Sequence, residues 1–429
     1  MRGSAAFRTG VTPGGALAGP WVRNPLWTRA RAVPSLDLRF ADNKSLVDAV
    51  TGQNLVTFTR ASSGTFVGSD GVLQTAATNE PRFDHNPTTG ESLGLLVEEA
   101  RTNLVRNNTM VGAVAGSPGT PPTNGWVIVN SATYTSSILG TGTENGINYI
   151  DIQYVVAAAA PAAVLFYCDT PAASASTAYT GSYYLKLISG TIPQVRFVWQ
   201  DGISTYNRTF FTLTATLTRY TDTLTTAISA NLARFAVGID AAPSGATFVI
   251  RVGMPQTEQG AFATSVIPTT SATATRAADV ASIGSSAFTS FYNQSEGTVF
   301  AEYKVASSSG NLIGSSDGTN NNRIFLGIAS GPLARLLVTT SGSAVASIGV
   351  AYALNSTAKT AGVYSANYFQ SATAGVLGTE DVLGGVPTVD RLSIGTNTTQ
   401  SDFFANGTIK RLCCWRQALP GSTLQAITG

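Results

Sequence analysis

The sequence predicts an all-β protein made of an extended N-terminal arm, a small β module and two β-sandwich (jelly-roll) domains in series. Short runs of Val, Ile, Leu and aromatic residues alternate with polar residues along the chain, a period typical of half-buried strands. Turn formers, among them 43 glycines and 18 prolines, separate these runs. At 429 residues the chain also exceeds one ordinary core, since domains average roughly 150 residues.

Residues 1–35 are predicted to form an extended docking arm. Prolines and glycines interrupt every helix and strand period in it, and its arginines precede the first acidic residue, Asp37. Its large apolar side chains are costly to leave in water, so we expect the arm to become ordered against a partner chain. A flexible leader segment without a binding partner is the alternative. The predicted docking residues are Phe7, Arg8, Trp21, Arg23, Trp27 and Arg29.

Residues 36–105 are predicted to form the small β module, whose first strand begins at Leu36. The tripeptide Ser69-Asp70-Gly71 is predicted to be a hairpin turn, because Gly accepts a positive φ and Asp can bond its own backbone. The last strand is followed by Glu98 and Glu99, and adjacent residues of a strand point to opposite faces.

Residues 106–270 are predicted to form the first sandwich, a jelly roll. No segment with helical spacing interrupts its evenly spaced strands, and Gly, Pro, Asn and Ser turns separate them. The predicted strands cover 163–168, 179–187, 195–199, 208–213, 217–223, 234–239 and 247–254.

Residues 271–429 are predicted to form the second sandwich, after a polar connection over 271–283. A short helix is predicted over 419–427, because Pro420 suits a first helical turn and Leu424 shares a face with Ile427. The predicted strands cover 298–304, 323–328, 334–339, 347–352, 360–364, 391–395 and 408–414.

The sequence offers little for catalysis. His85 is the single histidine, so a histidine-dependent triad or a multi-histidine metal site must use it. A Gly-rich phosphate loop is absent, and the acidic residues of the small module, such as Asp84 and Glu91, show no pairing. We therefore expect a protein that is not an enzyme.

Aromatic residues beside polar partners are the candidates for binding. Sugar rings stack on aromatic faces while amides and carboxylates bond their hydroxyls. Because half of each strand in a sandwich faces inward, a place in the core is the alternative for these aromatic rings. The candidate glycan-binding residues are Trp126, Trp199, Gln200, Asp201 and Tyr206.

No cofactor is expected, with one open alternative. The run from Ser316 to Asn322 offers several oxygen ligands close together, which suit calcium. Asp317 is its one carboxylate, so a hairpin loop held by Asp and Asn side chains is the competing interpretation.

Charge and hydropathy exclude further classes of partner. The net charge is +2 and no dense basic face follows the arm, so nucleic-acid binding is not expected. No apolar run reaches 18 residues and the start lacks a secretion signal, so we expect no membrane insertion. Cys168, Cys413 and Cys414 lack metal-ligand spacing and are predicted to be free, mostly buried thiols.

Three stretches resemble tailed-phage virion proteins, and a fourth resembles a family of sandwich domains. Residues 56–105 (VTFTRASSGTFVGSDGVLQTAATNEPRFDHNPTTGESLGLLVEEARTNLV) resemble the N-terminal module of phage head-spike, fibre and tail-appendage proteins. Residues 254–280 (MPQTEQGAFATSVIPTTSATATRAADV) are similar to the junction that closes a carbohydrate-binding-module-like jelly roll in those proteins, and residues 293–303 (NQSEGTVFAEY) also match. Residues 407–428 (GTIKRLCCWRQALPGSTLQAIT) resemble the end of laminin-G or concanavalin-A-like sandwiches.

The resemblance implies a homo-oligomeric virion protein, assembled in the host cytoplasm. Its N-terminal part would dock on capsid, portal or tail proteins, and its sandwiches would face host cell-surface polysaccharide. Laminin-G-like domains often carry a calcium-linked rim site, which Asp317 and its neighbours alone could supply here. Two alternatives remain: a purely structural capsid-decoration or tail protein without a ligand, and a polysaccharide-degrading enzyme.

Overall fold

A computed structural model describes residues 24–158, 163–170, 172–192, 194–240 and 243–429. The all-β prediction is confirmed: strands dominate these ranges, and the four helices in them are short. No helix within these ranges is long and apolar enough to cross a membrane. In chain order the elements are α1 Pro25–Ala30, β1 Leu36–Leu38, α2 Phe40–Asn43, β2 Thr57–Thr59, β3 Gly64–Val67, β4 Leu73–Ala76, β5 Phe83–His85, β6 Ser92–Val97, β7 Arg101–Asn103, β8 Trp126–Ile128, β9 Tyr134–Glu144, β10 Ile147–Val156, β11 Ala163–Cys168, β12 Ala178–Gly190, β13 Val195–Gln200, β14 Thr205–Phe211, β15 Thr218–Thr225, β16 Arg234–Ile239, β17 Thr247–Gln259, β18 Ala274–Arg276, β19 Val280–Gly284, α3 Ser285–Thr289, β20 Glu296–Val305, β21 Gly310–Ser316, β22 Arg323–Ala329, β23 Leu333–Thr340, β24 Ser343–Ala351, β25 Ala358–Ser365, β26 Tyr368–Thr373, β27 Val376–Leu377, β28 Arg391–Ile394, β29 Gly407–Trp415 and α4 Gly421–Thr428.

The jelly roll predicted over 106–270 is present as two five-stranded sheets packed face to face. The inward side chains of both sheets form one core, which includes Tyr183, Trp199 and Phe235. The strand order of one sheet is β15-β12-β17-β10-β9, and that of the other is β14-β13-β16-β11-β8.

A second sandwich, here called the terminal sandwich, consists of an eight-stranded and a seven-stranded sheet that share a core. Its strands come from both sides of the jelly roll in the sequence. In the eight-stranded sheet the order is β27-β26-β25-β20-β29-β6-β5, with β1 also paired to β29; in the seven-stranded sheet it is β2-β19-β28-β21-β22-β23-β24.

The small module predicted over 36–105 is therefore not a separate unit. Leu36 of β1 pairs with Cys414 of β29, and β6 pairs with the same strand through Val97 and Gly407. The side chains of β1 and β6 are largely apolar and need a core, which the C-terminal strands provide. The predicted hairpin turn at 69–71 is confirmed, because it joins the paired strands β3 and β4.

The extended docking arm is corrected for the part that the structure describes. Asn24 caps α1 by accepting a hydrogen bond from Leu26 N at 3.2 Å, and Pro25 occupies the first turn, where its missing N–H costs nothing. Trp27 Nε1 donates to Asp37 Oδ2 at 3.0 Å, and Arg29 Nη1 donates to the Gly429 carbonyl at 2.8 Å. These two predicted docking residues thus contact their own chain. The others, Phe7, Arg8, Trp21 and Arg23, lie outside the described residues.

A two-stranded ribbon connects the two sandwiches. Its strands β7 and β18 pair Asn103 with Ala274 and Arg101 with Arg276, so the chain enters and leaves the jelly roll at neighbouring positions. The helix predicted over 419–427 is confirmed as α4, displaced by one or two residues. The three cysteines are free and buried, as predicted.

Candidate functional site

A buried group of ionised side chains lies where the ribbon meets the terminal sandwich. It consists of Arg60, Arg82, Glu98, Arg276 and Asp279, and is here called the junction cluster. Each member stands at or next to the end of a short strand, which brings four segments of the chain to one point. All five are at least nine-tenths buried.

The two carboxylates of the junction cluster join its three arginines. Asp279 accepts from Arg60 Nη1 at 3.0 Å, from Arg82 Nη2, and from the Glu98 backbone N–H at 2.9 Å. Glu98 Oε2 lies 2.8 Å from Arg82 Nη2 and 3.0 Å from Arg276 Nη1. Buried charges are tolerated only when paired and hydrogen-bonded, so each member depends on the others.

Glu98 and Glu99 follow the end of β6 and have different partners. Ser265 donates to both oxygens of Glu98 at 2.7 Å, from its backbone N and its Oγ. Burial would raise the pKa of Glu98, but the charges of Arg276 and Arg82 outweigh it and lower this pKa to about 2. Glu99 instead pairs with Arg101 at 2.5 Å.

A cleft of about 270 Å³, here called the junction cleft, opens beside the junction cluster. Its walls come from the β3–β4 hairpin, β6, the β12 and β15 edge of the jelly roll, and β20 with β29 of the terminal sandwich. The polar and aromatic side chains in its lining are Phe66, Asp84, Glu98, Tyr184, Arg219, Thr264, Ser265, Lys304, Asn355, Asn406 and Thr408. Its volume is near the lower end of the ~300–1,000 Å³ range of small-ligand sites, which occur preferentially between domains.

Tyr184 and Arg219 form the jelly-roll wall of the cleft. They pair across β12 and β15, and the Arg219 guanidinium lies 5.8 Å from the Tyr184 ring centroid. Arg219 is held by donating to the Thr264 carbonyl at 2.7 Å and to Ser182 Oγ at 2.9 Å. Tyr184 Oη has no hydrogen-bond partner among the described residues. The cleft therefore presents a positioned aromatic ring with an available hydroxyl.

Asp84 supplies the carboxyl group on the opposite wall. It lies on β5, and its Oδ1 accepts from the Val67 backbone N–H at 2.7 Å. Burial and, to a smaller extent, the charge of Glu98 raise the pKa of Asp84, the bond from Val67 lowers it, and the net result is a pKa of about 6. Near pH 6 this group can thus either donate or accept a hydrogen bond.

Asp84→Asn should stabilise the protein at pH 7.5 and have little effect at pH 4. Because the folded pKa of about 6 exceeds the ordinary value of 3.8, the wild type loses stability as the pH rises between these values. Asn stays neutral and still accepts from Val67. We expect a gain of about 1–3 kcal/mol at pH 7.5, measured by urea unfolding across the pH range.

The stability contribution of Glu98 has a different pH dependence, which can be compared with that of Asp84 in the same protein. The pKa of Glu98 is lowered, so its contribution is present above pH 4.5 and is lost as the pH falls toward 2. The two pH windows barely overlap. Equal stability of Asp84→Asn and the wild type at pH 7.5 would contradict the raised pKa of Asp84.

The structure places two predicted glycan-binding tryptophans in the jelly-roll core. Trp199 is 0% and Trp126 is 6% exposed, so neither ring can stack on a ligand, and the prediction is corrected for both. Trp199 Nε1 donates to Asp222 Oδ2 at 2.8 Å, and Trp126 Nε1 donates to the Asn107 carbonyl at 2.5 Å. Both rings stand on the inward face of their strands.

The remaining predicted residues surround Trp199 at one end of the same sheet. Asp201 is 0% exposed and organises two loops by accepting from Ser204 N at 2.8 Å, Ala227 N at 3.0 Å and Tyr206 Oη at 3.0 Å. A buried carboxylate with these partners fixes loops, so Asp201 is also corrected. Gln200 and Tyr206 are half-buried, and Gln200 Oε1 accepts from Arg234 Nη1 at 2.9 Å.

Asp317 has the partners of a turn residue. Its Oδ1 accepts from Thr319 N at 2.8 Å and from Thr319 Oγ1 at 2.6 Å, and its Oδ2 accepts from Asn322 Nδ2 at 2.9 Å. Burial would raise the pKa of Asp317, but these bonds lower it. No group of three or more His, Cys, Asp or Glu side chains with metal-site geometry occurs in the described ranges. The observed bonds are those of the hairpin-loop alternative.

The residues of the junction cleft carried weak signals in the sequence. Asp84 stood out only as a carboxylate without a pair, and Tyr184 lies on β12 beside Tyr183, which is buried in the core. Arg219 was missed, since a lone arginine in a strand has no pattern. The cleft depends on packing between segments far apart in the sequence, which periodicity does not encode.

No family model matches the chain, and no curated protein matches it. Among solved structures, a CBM4 structure is 15% identical over 36% of this chain and 99% of that chain, with a TM-score of 0.27. Domain 4 of AbnA, a GH43 extracellular arabinanase from Geobacillus stearothermophilus, is 13% identical over 35% of this chain and 73% of that one, with a TM-score of 0.27. A leech intramolecular trans-sialidase is 16% identical over 34% of this chain and 25% of that one, with a TM-score of 0.29. At such TM-scores these likenesses carry no inference about site or ligand.

Proposed function

We propose that this chain is a bacteriophage virion structural protein, a head spike, fibre or tail appendage, that binds host-surface glycan in the junction cleft. The observation that carries the glycan site is the pairing of a positioned Tyr184 ring with the Asp84 carboxyl group across a cleft of about 270 Å³. An aromatic face and a few fixed polar groups are what a sugar ring requires. The virion assignment rests on the sequence resemblance.

Binding without catalysis is supported by the acidic groups of the cleft. Glycoside hydrolysis generally uses two carboxyl groups that are free to act on the substrate. Asp84 and Glu98 are the acidic side chains in the cleft lining, and Glu98 is bonded to Arg82, Arg276 and Ser265. We therefore propose an adhesin that is not an enzyme and has no cofactor.

Docking on the particle is proposed for the N-terminal part, together with association with copies of the same chain. Within residues 24–35, Trp27 and Arg29 contact their own chain. This segment would therefore meet a partner with the surface that it has when packed against its own chain. Capsid, portal or tail proteins remain the proposed partners, and the virion the proposed location.

Tyr184→Ala should weaken binding to the cognate glycan at least tenfold, which corresponds to about 1.4 kcal/mol. The loss follows from removing the ring and the available hydroxyl together. Binding is measured first on a glycan array and then by titration of the recognised oligosaccharide with the full chain. Tyr167→Ala is the matched control, because Tyr167 lies on the other jelly-roll sheet, where Arg234 covers its ring at 4.3 Å.

The outcomes separate the proposed function from its rivals. Equal binding by wild type and Tyr184→Ala would place the glycan elsewhere. Absence of binding to every glycan and to host cells would favour the purely structural protein. Release of reducing sugar from host capsule would identify an enzyme.

A further inference from the structure

The face of the seven-stranded sheet that points away from the shared core carries two half-buried arginines and, between them, an aromatic ring that is 3% exposed. Phe325 of β22 pairs with Leu337 of β23, whereas Arg323 and Arg335 stand two residues away from this pair in opposite directions along the same two strands. Residues separated by an even number share a face of a strand. Arg323, Phe325 and Arg335 therefore lie on one face and are here called the arginine face.

Neither arginine of this face has an acidic partner in the described part of the chain. Arg323 Nη1 donates to Asn320 Oδ1 at 2.8 Å, and its guanidinium lies 5.4 Å from the Phe325 ring centroid. Arg335 forms no hydrogen bond or ion pair with any described residue. Burial and then the charge of Arg335 hold the pKa of Arg323 below its ordinary value. Two like charges within electrostatic reach of each other leave an uncompensated positive site.

The surroundings of Arg335 leave it accessible. Its pairing partners are Gly327 on β22 and Gly349 on β24, so no side chain flanks it on either neighbouring strand. Ser347, opposite Leu337, and Gly349 are both exposed. Arg335 is itself half-buried, with a glycine on each neighbouring strand.

The two arginines are spaced for a polymer with repeated charges. Four residues along the strands and one strand across put their Cα atoms roughly 14 Å apart, and the long side chains can close part of that distance. A guanidinium offers a planar pair of N–H donors that matches a carboxylate. Neutral sugars would leave both charges uncompensated.

We infer that the arginine face binds the carboxylate groups of an acidic cell-surface polysaccharide. The choice of a polysaccharide rests on the proposed glycan adhesion, but the surface is separate from the junction cleft. The chain would then hold a glycan at two places, and the second would select for acidic sugars.

The probe is polygalacturonate, a polymer of carboxylate-bearing sugars, titrated into the full chain at about 50 and about 200 mM salt. The comparison polymers are neutral dextran, dextran sulfate and double-stranded DNA. Arg335→Gln should weaken polygalacturonate binding at least tenfold, whereas Arg335→Lys should retain part of it. Arg391→Gln is the matched control, because Arg391 lies in the same sheet but pairs with Asp390 at 2.7 Å.

Arg335→Gln should weaken polygalacturonate binding by the same factor in the wild-type and in the Tyr184→Ala background, which distinguishes this site from the junction cleft. The same loss in both backgrounds supports the arginine face even if the cleft binds nothing. Unchanged binding in Arg335→Gln, equal affinity for dextran, or equal or tighter affinity for dextran sulfate or DNA would overturn it. An effect of Arg335→Gln that disappears in the Tyr184→Ala background would assign polygalacturonate to the cleft and also overturn it.

Discussion

Asp279→Asn should lower the free energy of unfolding by about 3–5 kcal/mol, the cost of breaking a buried ion pair while its partners remain. Asp279 is fully buried and compensates Arg60 and Arg82 at once. With a neutral amide at position 279, Glu98 would be the one carboxylate of the cluster left to compensate its three buried guanidinium groups. Arg82 and Arg276 already each have a buried Nε without a hydrogen-bond partner, so the cluster has little capacity to rearrange.

The effect should appear in the melting transition that exposes the terminal sandwich. Thermal and urea unfolding are followed by tryptophan fluorescence and circular dichroism. Asp390→Asn is the matched control: it removes one carboxylate from an exposed pair with Arg391, and such pairs contribute about 0–1 kcal/mol. Similar decreases in the free energy of unfolding for both variants would show that the junction cluster does not stabilise the fold as its burial implies.

Asp37→Asn should be the second strongly destabilising change, by about 3–4 kcal/mol. Asp37 is fully buried on β1, and Arg411 donates to its two oxygens at 2.8 Å and 2.7 Å. Arg39 Nε and Trp27 Nε1 donate to Oδ2 at 2.7 Å and 3.0 Å. Burial would raise the pKa of Asp37, but Arg411 and Arg39 outweigh it and keep this pKa below its ordinary value.

The Asp37 variant should also release α1 from the terminal sandwich, because Trp27 loses its charged partner. Trypsin should then cut faster after Arg29 and Arg31, in addition to a lower melting temperature. Asp42→Asn serves as control, since Asp42 is exposed on the neighbouring helix α2 and such changes usually stay within ±0.5 kcal/mol. Unchanged cleavage with a lower melting temperature would mean that α1 is held by its apolar contacts alone.

Alternation of apolar and polar residues was enough to locate many strands. The prediction over 163–168 coincides with β11, and 334–339 lies within β23. The long hairpin of β9 and β10 was missed, because Gly, Ser and Thr dilute the apolar signal in β9. The class of the fold therefore follows from local pattern, whereas individual strands with small polar residues do not.

The pairing of strands that are far apart in the sequence could not be predicted from alternation. β1 is bonded to β29, whose residues lie about 375 positions further along, and no local period connects them. Asp37 alternates with apolar neighbours as an exposed residue would, yet β29 and α1 bury it. The separate small module was an error of this kind, since its composition is that of a domain while its hydrogen-bond partners lie elsewhere.

For the candidate site, too, residue type could be taken from the sequence, whereas burial could not. Aromatic residues were singled out by residue type, but alternation alone did not decide which of them face the core, and Trp126 and Trp199 proved to be core residues. Tyr183 and Tyr184 are adjacent on β12, and only the second lines the cleft. Burial depends on which strands cover a face, and that is a property of the assembled sandwiches.

The two-stranded ribbon at Asn103 and Ala274 has a consequence for biosynthesis. Every strand of the jelly roll lies between Trp126 and Gln259, so its two sheets can be completed as soon as that stretch has left the ribosome. The terminal sandwich begins earlier but must wait for β29, which ends at Trp415, before β1 and β6 have their pairing partner. During translation the later-starting domain is thus the first that can finish folding, while the apolar strands at 36–97 stay without their core.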